Sequence, residues 1–393
     1  MNSFLERAQE LKHDLIDIRR HLHQIPELGM DLPQTSAYVI SELEKLGIKA
    51  HRVTESGITA CIGGKKGGPV FLIRADMDAL SMREQSGLDF ASQQDSAHTC
   101  GHDLHTTWLL GAAQLLKEQE DQLCGTVKLM FQPGEEKLLG AKAMIESGIL
   151  ENPHVDAGMA MHVFPGNMHV GTVAWRAGPT LASSDHLRIT VTGLAGHGAI
   201  PQNAVDPLNI AAHIILALQE INAREVDPQD PIVLTICTIH GGELHNAFPE
   251  TVEMTGSIRA FSNENRTLAK RRVVEICESV AKAFRGSCTV DFNVGVASVH
   301  NNEQLVEELV GYVGEITDNL ITLKKQMGSE DFAEVTQKIP AVFFGVGAGG
   351  VESIYHQGGS HNPKVVFNED VLPFGAAMMA TCAANWLHHH FEG

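Results

Sequence analysis

The chain has 393 residues, with 48 Asp or Glu against 29 Lys or Arg, for a formal net charge of −19. That acidic balance argues against nucleic acid or an anionic membrane as partner, since both select basic surfaces; no run of 18 apolar residues is present to span a bilayer. With 43% hydrophobic and 20% charged residues the composition is globular, and at about 100–200 residues per domain this length predicts two domains.

The chain opens on a charged amphipathic helix, MNSFLERAQELKHDLIDIRRHLH, without the apolar core of a signal peptide. Seven cysteines, odd in number and scattered, do not form a disulfide framework, so the cytoplasm is the expected compartment. His388 to His390 read as a solvated helix end.

The first half alternates strands and helices. Val70–Ala75 is a short apolar run after a Gly-rich turn, and residues 104–120 have helical periodicity through Leu109, Ala113 and Leu116. Residues 126–132 read as a strand, 141–147 as a short helix and 157–163 as a buried strand. This order predicts an α/β domain with a mostly parallel sheet and helices on both faces.

The middle changes character. Strands at 186–192, 232–239, 251–260 and 287–294 and helices at 206–224 and 265–285 follow the order β-α-β-β-α-β, the ferredoxin-like pattern. Residues 182–294 are therefore expected to form an inserted α+β domain. The end returns to α/β, with a helix at 303–316, a strand at 341–346 and a long apolar helix at 370–389. The first domain is expected to be discontinuous, 1–181 and 295–393.

Chemistry-bearing residues gather at predicted strand ends. Cys100 and His102 share a turn that opens a helix, and two apart they can reach one metal; taken alone, a buried Cys beside an N-capping Asp is the plainer reading. Glu135 and Glu136 follow the strand at 126–132, where strand ends face a ligand crevice, although a solvated turn has the same spelling. His162 ends the strand at 157–163, where a core histidine is the plainer reading, and His361 lies in a loop. Asp76 and Asp78 follow Val70–Ala75 in the same way. Jointly the pattern is stronger, because three parallel strands deliver carboxylates and imidazoles to one edge. The mixed N/O/S donor set suits Zn, Mn, Co or Ni rather than an oxygen-only Mg or Ca site. It holds too many donors for one tetrahedral ion, so two divalent metal ions sharing a bridging ligand are expected.

The segments RADMDAL (74–80), HTCGHDLH (98–105), FQPGEE (131–136), GHGAIPQNAVDP (196–207), GGELHNAFPE (241–250), GSIR (256–259) and MGSEDF (327–332), with HLHQIPELG (21–29), span nearly the whole chain in order. The chain resembles the M20 metallopeptidase family. The resemblance is to its amidohydrolase branch of aminoacylases, hippurate hydrolases, indole-acetyl-amino-acid hydrolases and N-acetyl-diaminopimelate deacetylases.

The resemblance implies two metals held by Cys100, His102, Glu136, His162 and His361, with Cys100 bridging. It implies Glu135 as general base, an inserted domain that is lid and dimerisation surface, and His197 reaching across a homodimer to the scissile carbonyl. Asn246 and Arg259 match positions that bind the carboxylate end of the substrate, a small N-acyl amino acid. One departure is Gln202 after Pro201, where the motif usually has His. The chemistry agrees: amide hydrolysis needs a water made nucleophilic at neutral pH, a base to take its proton and a donor for the oxyanion. Arg259 offers a bidentate fork for a carboxylate, or else makes a surface ion pair. Asp78 orients a ligand histidine or is a turn residue. The expected activity is hydrolysis of the amide of an N-acyl amino acid. The alternatives are a dipeptidase or aminopeptidase of the same superfamily and a silent binder of amino-acid conjugates.

The segment from Gly345 to Gly350 satisfies the dinucleotide spelling GxGxxG. No apolar helix follows to hold a phosphate at its N-terminus, so it is expected to be a flexible loop leading to His361.

Overall fold

The structure, a computed structural model, describes residues 3–391, excepting the side chain of Ser3. Met1 and Asn2 of the predicted first helix lie outside the described residues, as do Glu392 and Gly393. The chain divides into two compact units. The first comprises Met1–Gly178, His300–Lys324 and Asp331–Gly393, and the second Pro179–Val299 and Lys325–Glu330.

An eight-stranded sheet organises the first unit. Its order is Ala50–Arg52, Ile58–Gly63, Thr126–Gln132, Val70–Asp76, Ala157–His169, Ala341–Gly349, Val173–Trp175, Leu320–Thr322. The central strands from Thr126–Gln132 to Ala341–Gly349 run parallel, as does the pair at the far edge. The first two strands and the junction with Val173–Trp175 are antiparallel. Every residue of Val70–Asp76 is buried, so both sheet faces are covered there, as a continuous rather than alternating apolar run requires. The helices His102–Glu118 and Val371–His389 supply Leu104, Trp108, Leu372 and Met378 to the same core as Phe71, Ile73 and Phe344.

The second unit has a four-stranded antiparallel sheet, ordered Ile232–His240, Thr251–Ala260, Ser184–Thr192, Ser287–Val296. Its core joins Leu187, Ile189 and Val191 of one strand to Ile210, Ile214 and Leu218 of Pro207–Glu220 and Val273 of Asn263–Ala283. Both helices start where their caps dictate. Asp206 accepts from the Leu208 N–H and Ser262 from the Asn265 N–H.

Several expectations are corrected. The first helix is two, Ser3–Glu10 and Lys12–Gln24. The strand from Ala157 runs on to His169, because the glycines at 345, 347 and 349 let the neighbouring strand approach it closely. Those glycines are strand residues, not a flexible loop. A Cβ on Gly345 would meet the Phe164 ring at 2.7 Å, and one on Gly347 would strike the His169 carbonyl. Among the described residues, no helix is long and apolar enough to cross a membrane.

Candidate metal centre

The predicted strand ends converge in the first unit. Val70–Asp76 ends in Asp76, Thr126–Gln132 leads into the turn that carries Glu135 and Glu136, and His162 sits midway along Ala157–His169. Cys100 precedes Gly101, whose φ of +87° is in the left-handed region, and a Cβ there would strike the Val163 side chain. Only glycine fits both demands, and the helix begins at the next residue, His102. Gly134 does the same for the glutamates: its φ is +71° and a Cβ would strike Met30. His361 itself adopts φ +64°, unusual for a residue with a side chain, and its N–H is held by the Thr99 carbonyl at 3.0 Å.

Two donor groups share Cys100. One is Cys100, His102 and His162; the other is Cys100, Glu136 and His361, and within each group the donor atoms lie within 4.8 Å of one another. Cys100 Sγ is 3.3 Å from His162 Nε2, and His361 Nε2 is 3.2 Å from Glu136 Oε1. His102 Nε2 lies 4.0 Å from that same oxygen. The His162 Nδ1–H donates to the Val163 carbonyl at 2.8 Å, which turns Nε2 toward Cys100.

The donors fit a cation. Both ring nitrogens of His102 and Oε1 of Glu136 are buried without a hydrogen bond. Asp78 Oδ1 is 3.4 Å from His102 Nδ1, near but not aligned to accept. Buried polar atoms are rarely left so, and an ion is one standard explanation.

The electrostatics point the same way. Burial pushes the Cys100 thiol up, but the His162 and His102 charges outweigh it and bring it to about 6. Burial lowers His162, yet the Cys100 thiolate carries it to about 9. The Cys100 and Glu136 side chains beside it raise His361 to about 10. Burial resists ionisation of Glu136, but the adjoining His361 imidazole and the His102 charge hold it below the usual carboxylate range. The cluster gathers positive charge between its donors, and metal binding to such ligands releases protons.

Asp78 positions both glutamates. Its Oδ1 accepts the Glu135 N–H at 3.0 Å and its Oδ2 the Glu136 N–H at 3.1 Å. Glu135 is buried and grouped with His102 and Glu136.

His197, Asn246 and Arg259 lie in the second unit. Gly196–His197 pairs with Ala247–Phe248, and the Gly198 N–H donates to the Asn246 carbonyl at 2.8 Å, so His197 and Asn246 are neighbours. His197 Nδ1 accepts the Ala199 N–H at 3.0 Å, so the ring proton is on Nε2. Arg259 Nη1 donates to Ser329 Oγ at 2.8 Å. Among the described residues no carboxylate pairs with it, so the surface ion pair is absent. Gln202 is exposed, in the single turn Pro201–Asn203.

Sequence reasoning missed the residues behind the centre. Arg74, 1% exposed, donates to Gln132 Oε1 at 2.9 Å, Asp76 Oδ2 at 2.7 Å and Asp331 Oδ1 at 2.9 Å. His105 bonds Asp76 and the Val163 backbone; burial lowers its pKa to about 4 despite the Asp76 charge. The available signal was an arginine inside an apolar strand, since a buried cation needs partners.

A protein-family model described as peptidase family M20/M25/M40 matches residues 72–385. The chain is 37% identical over 381 residues to an IAA-amino acid hydrolase, ILR1-like 4, of Arabidopsis thaliana, covering 95% of this chain and 86% of that one. It is 37% identical over 348 residues to the N-acetyl-L-cysteine deacetylase of Bacillus subtilis, covering 88% and 83%. A solved structure of the Bacillus subtilis YXEP protein, described as a dinuclear metal binding peptidase from the M20 family, superposes with a TM-score of 0.84 at 30% identity, covering 97% and 99%. With its ordered motifs, its two donor groups joined at Cys100 and these matches, the chain belongs to peptidase family M20/M25/M40.

Proposed function

We propose that the chain is a dinuclear metal-dependent amidohydrolase that cleaves the amide bond of N-acyl amino acids. The observation that carries this is the pair of donor groups sharing Cys100, in a chain similar over most of its length to hydrolases and deacetylases of such conjugates. Cys100, His102, Glu136, His162 and His361 would hold two divalent ions, Zn, Mn, Co or Ni, with Cys100 between them. When bound, the ions supply the charge that acidifies an attacking water and polarises the amide carbonyl.

The chain's own groups do the rest. Glu135 takes the water's proton and passes it to the leaving nitrogen; Asp78 fixes its backbone, and Glu136, facing His361, is the ligand of the pair. Arg259, without a carboxylate partner, takes the carboxylate of the amino-acid product half through two parallel N–H bonds, with Asn246 assisting. His197 presents Nε2–H as donor to the developing oxyanion of a second copy, in a homodimer formed through the inserted domain. We place the enzyme in the cytoplasm, where its free thiols are maintained.

The test is turnover by metal-reconstituted protein on N-acetyl, N-benzoyl and indole-acetyl amino acids against dipeptides. Faster hydrolysis of the acylated set supports the reading, and a preference for free-amine dipeptides overturns it in favour of a peptidase.

A further inference from the structure

His105 is fully buried and takes no part in the chemistry above, yet both its ring nitrogens are used. Nδ1 lies 2.6 Å from Asp76 Oδ1, and Nε2 is 2.9 Å from the Val163 backbone nitrogen. A backbone amide only donates, so Nε2 carries the lone pair and Nδ1 the proton, which goes to Asp76. With neither nitrogen to spare, His105 is excluded as a metal ligand, although it lies within reach of His102 and Asp76.

The sheet explains why an imidazole stands there. Val70–Asp76 and Ala157–His169 pair in parallel from Phe71↔Ala157 to Arg74↔Ala160, and their ladder stops at that point. Each strand continues along its other neighbour: Asp76 is opposite Gln132 and Val163 opposite Val346. The two strands part at their C-terminal ends, as they do where α/β sheets form a crevice. The Val163 N–H would lack an acceptor in that gap, and a buried amide is almost never left so. His105, one helical turn after His102, fills the gap as a side-chain rung between the Asp76 carboxylate and the Val163 amide.

We infer that His105 is a positioning residue for the metal centre, an inference that rests on the reading of that centre given above. By holding the Val163 N–H it restrains the backbone of Val163, whose carbonyl, one peptide further on, accepts the His162 Nδ1–H, and so helps aim His162 Nε2 at Cys100. The ring also walls the site, with centroids 5.4 Å from His102 and 4.7 Å from His162. Asp76 anchors the rung at its far end through Arg74.

The test compares two substitutions in the full chain. His105→Leu removes both bonds at similar bulk. His105→Gln keeps an acceptor for Val163 and a donor for Asp76 on one side chain. Co²⁺ titration, followed by its visible absorption, should show about 10- to 100-fold weaker binding and an altered spectrum for the Leu variant, the scale for partners of metal ligands. The Gln variant should bind nearer to wild type with the wild-type spectrum. Equal Co²⁺ affinity and spectra for wild type and a folded Leu variant overturn the inference. Should the Leu variant fail to fold, ¹⁵N-histidine NMR of metal-free wild type decides: His105 protonated at Nδ1 alone supports the rung, and protonation at Nε2 overturns it. A wild-type chain that binds no Co²⁺ overturns the metal reading instead, an outcome distinct from variants that bind as well as wild type.

Discussion

Two buried polar clusters lie at adjoining strand ends of the first unit, and they differ in how completely they are satisfied. In the cluster around Arg74, the guanidinium meets Gln132, Asp76 and Asp331, the Gln132 amide meets Asp331 at 2.7 Å, and Asp331 Oδ2 accepts the Ala141 N–H at 2.9 Å. In the cluster around Cys100, His102 has both nitrogens bare and Glu136 has a bare oxygen. Burial of charge therefore does not by itself mark a functional site. The closed cluster binds strands and loops together, whereas the open one has donor capacity reserved for something the chain does not supply.

Substitutions can break that contrast. The largest effect is expected at Glu135. Glu135→Gln should keep metal and lose turnover by about 10²–10⁴-fold, the range for a lost general base. If Glu136→Gln instead kept metal and lost only turnover, the two carboxylate roles would be exchanged. Arg74→Met, which leaves Asp76 and Asp331 without their cation, should lower stability by about 3–5 kcal/mol in urea unfolding, the scale for breaking a buried pair. Cys100→Ala should behave oppositely: metal affinity falls by about 10-fold or more, while the metal-free protein melts no lower than metal-free wild type. A strongly destabilised metal-free Cys100→Ala chain would erase the distinction between the clusters.

Two smaller effects sharpen the comparison. Mixing inactive His197→Ala and Glu135→Gln chains should restore part of the activity if His197 serves a partner's site; no recovery under demonstrated subunit exchange counts against the shared site. A third buried cluster joins His23 to Asp103 at 2.8 Å and Glu84 at 3.1 Å. Burial and the Arg19 charge lower the His23 pKa, but Asp103 and Glu84 outweigh them and raise it above 6.5. A histidine raised on folding stabilises fully below its unfolded value and loses that contribution as pH rises through its folded value. The melting-temperature gap between wild type and His23→Gln should therefore shrink as pH climbs above 6.5, and a widening gap would contradict the assignment.

The sequence makes plain what depends on local pattern. Apolar runs with punctuating turns locate the central strands, and the strands of the second unit appear through alternation, as in Ser184–Thr192. The edge strand Ala50–Arg52 has no such signal, because it is three residues long and largely exposed. Ile58–Gly63 does alternate, but Cys61, an apolar residue, is on its exposed side and blurs the pattern. The donors were legible as residue types at strand ends. Their support was not: Arg74 and Asp331 are 257 residues apart, and the role of His105 follows from where two strands cease to pair, which no spacing in HTCGHDLH encodes.

Metal analysis tests the central claim most directly. Chains reconstituted with Mn²⁺ or Co²⁺ and freed of excess ion should carry two equivalents in wild type and in Glu135→Gln. Cys100→Ala should lose most of both, because that thiolate belongs to both donor groups. Full occupancy in Cys100→Ala, or none in wild type, would contradict the account.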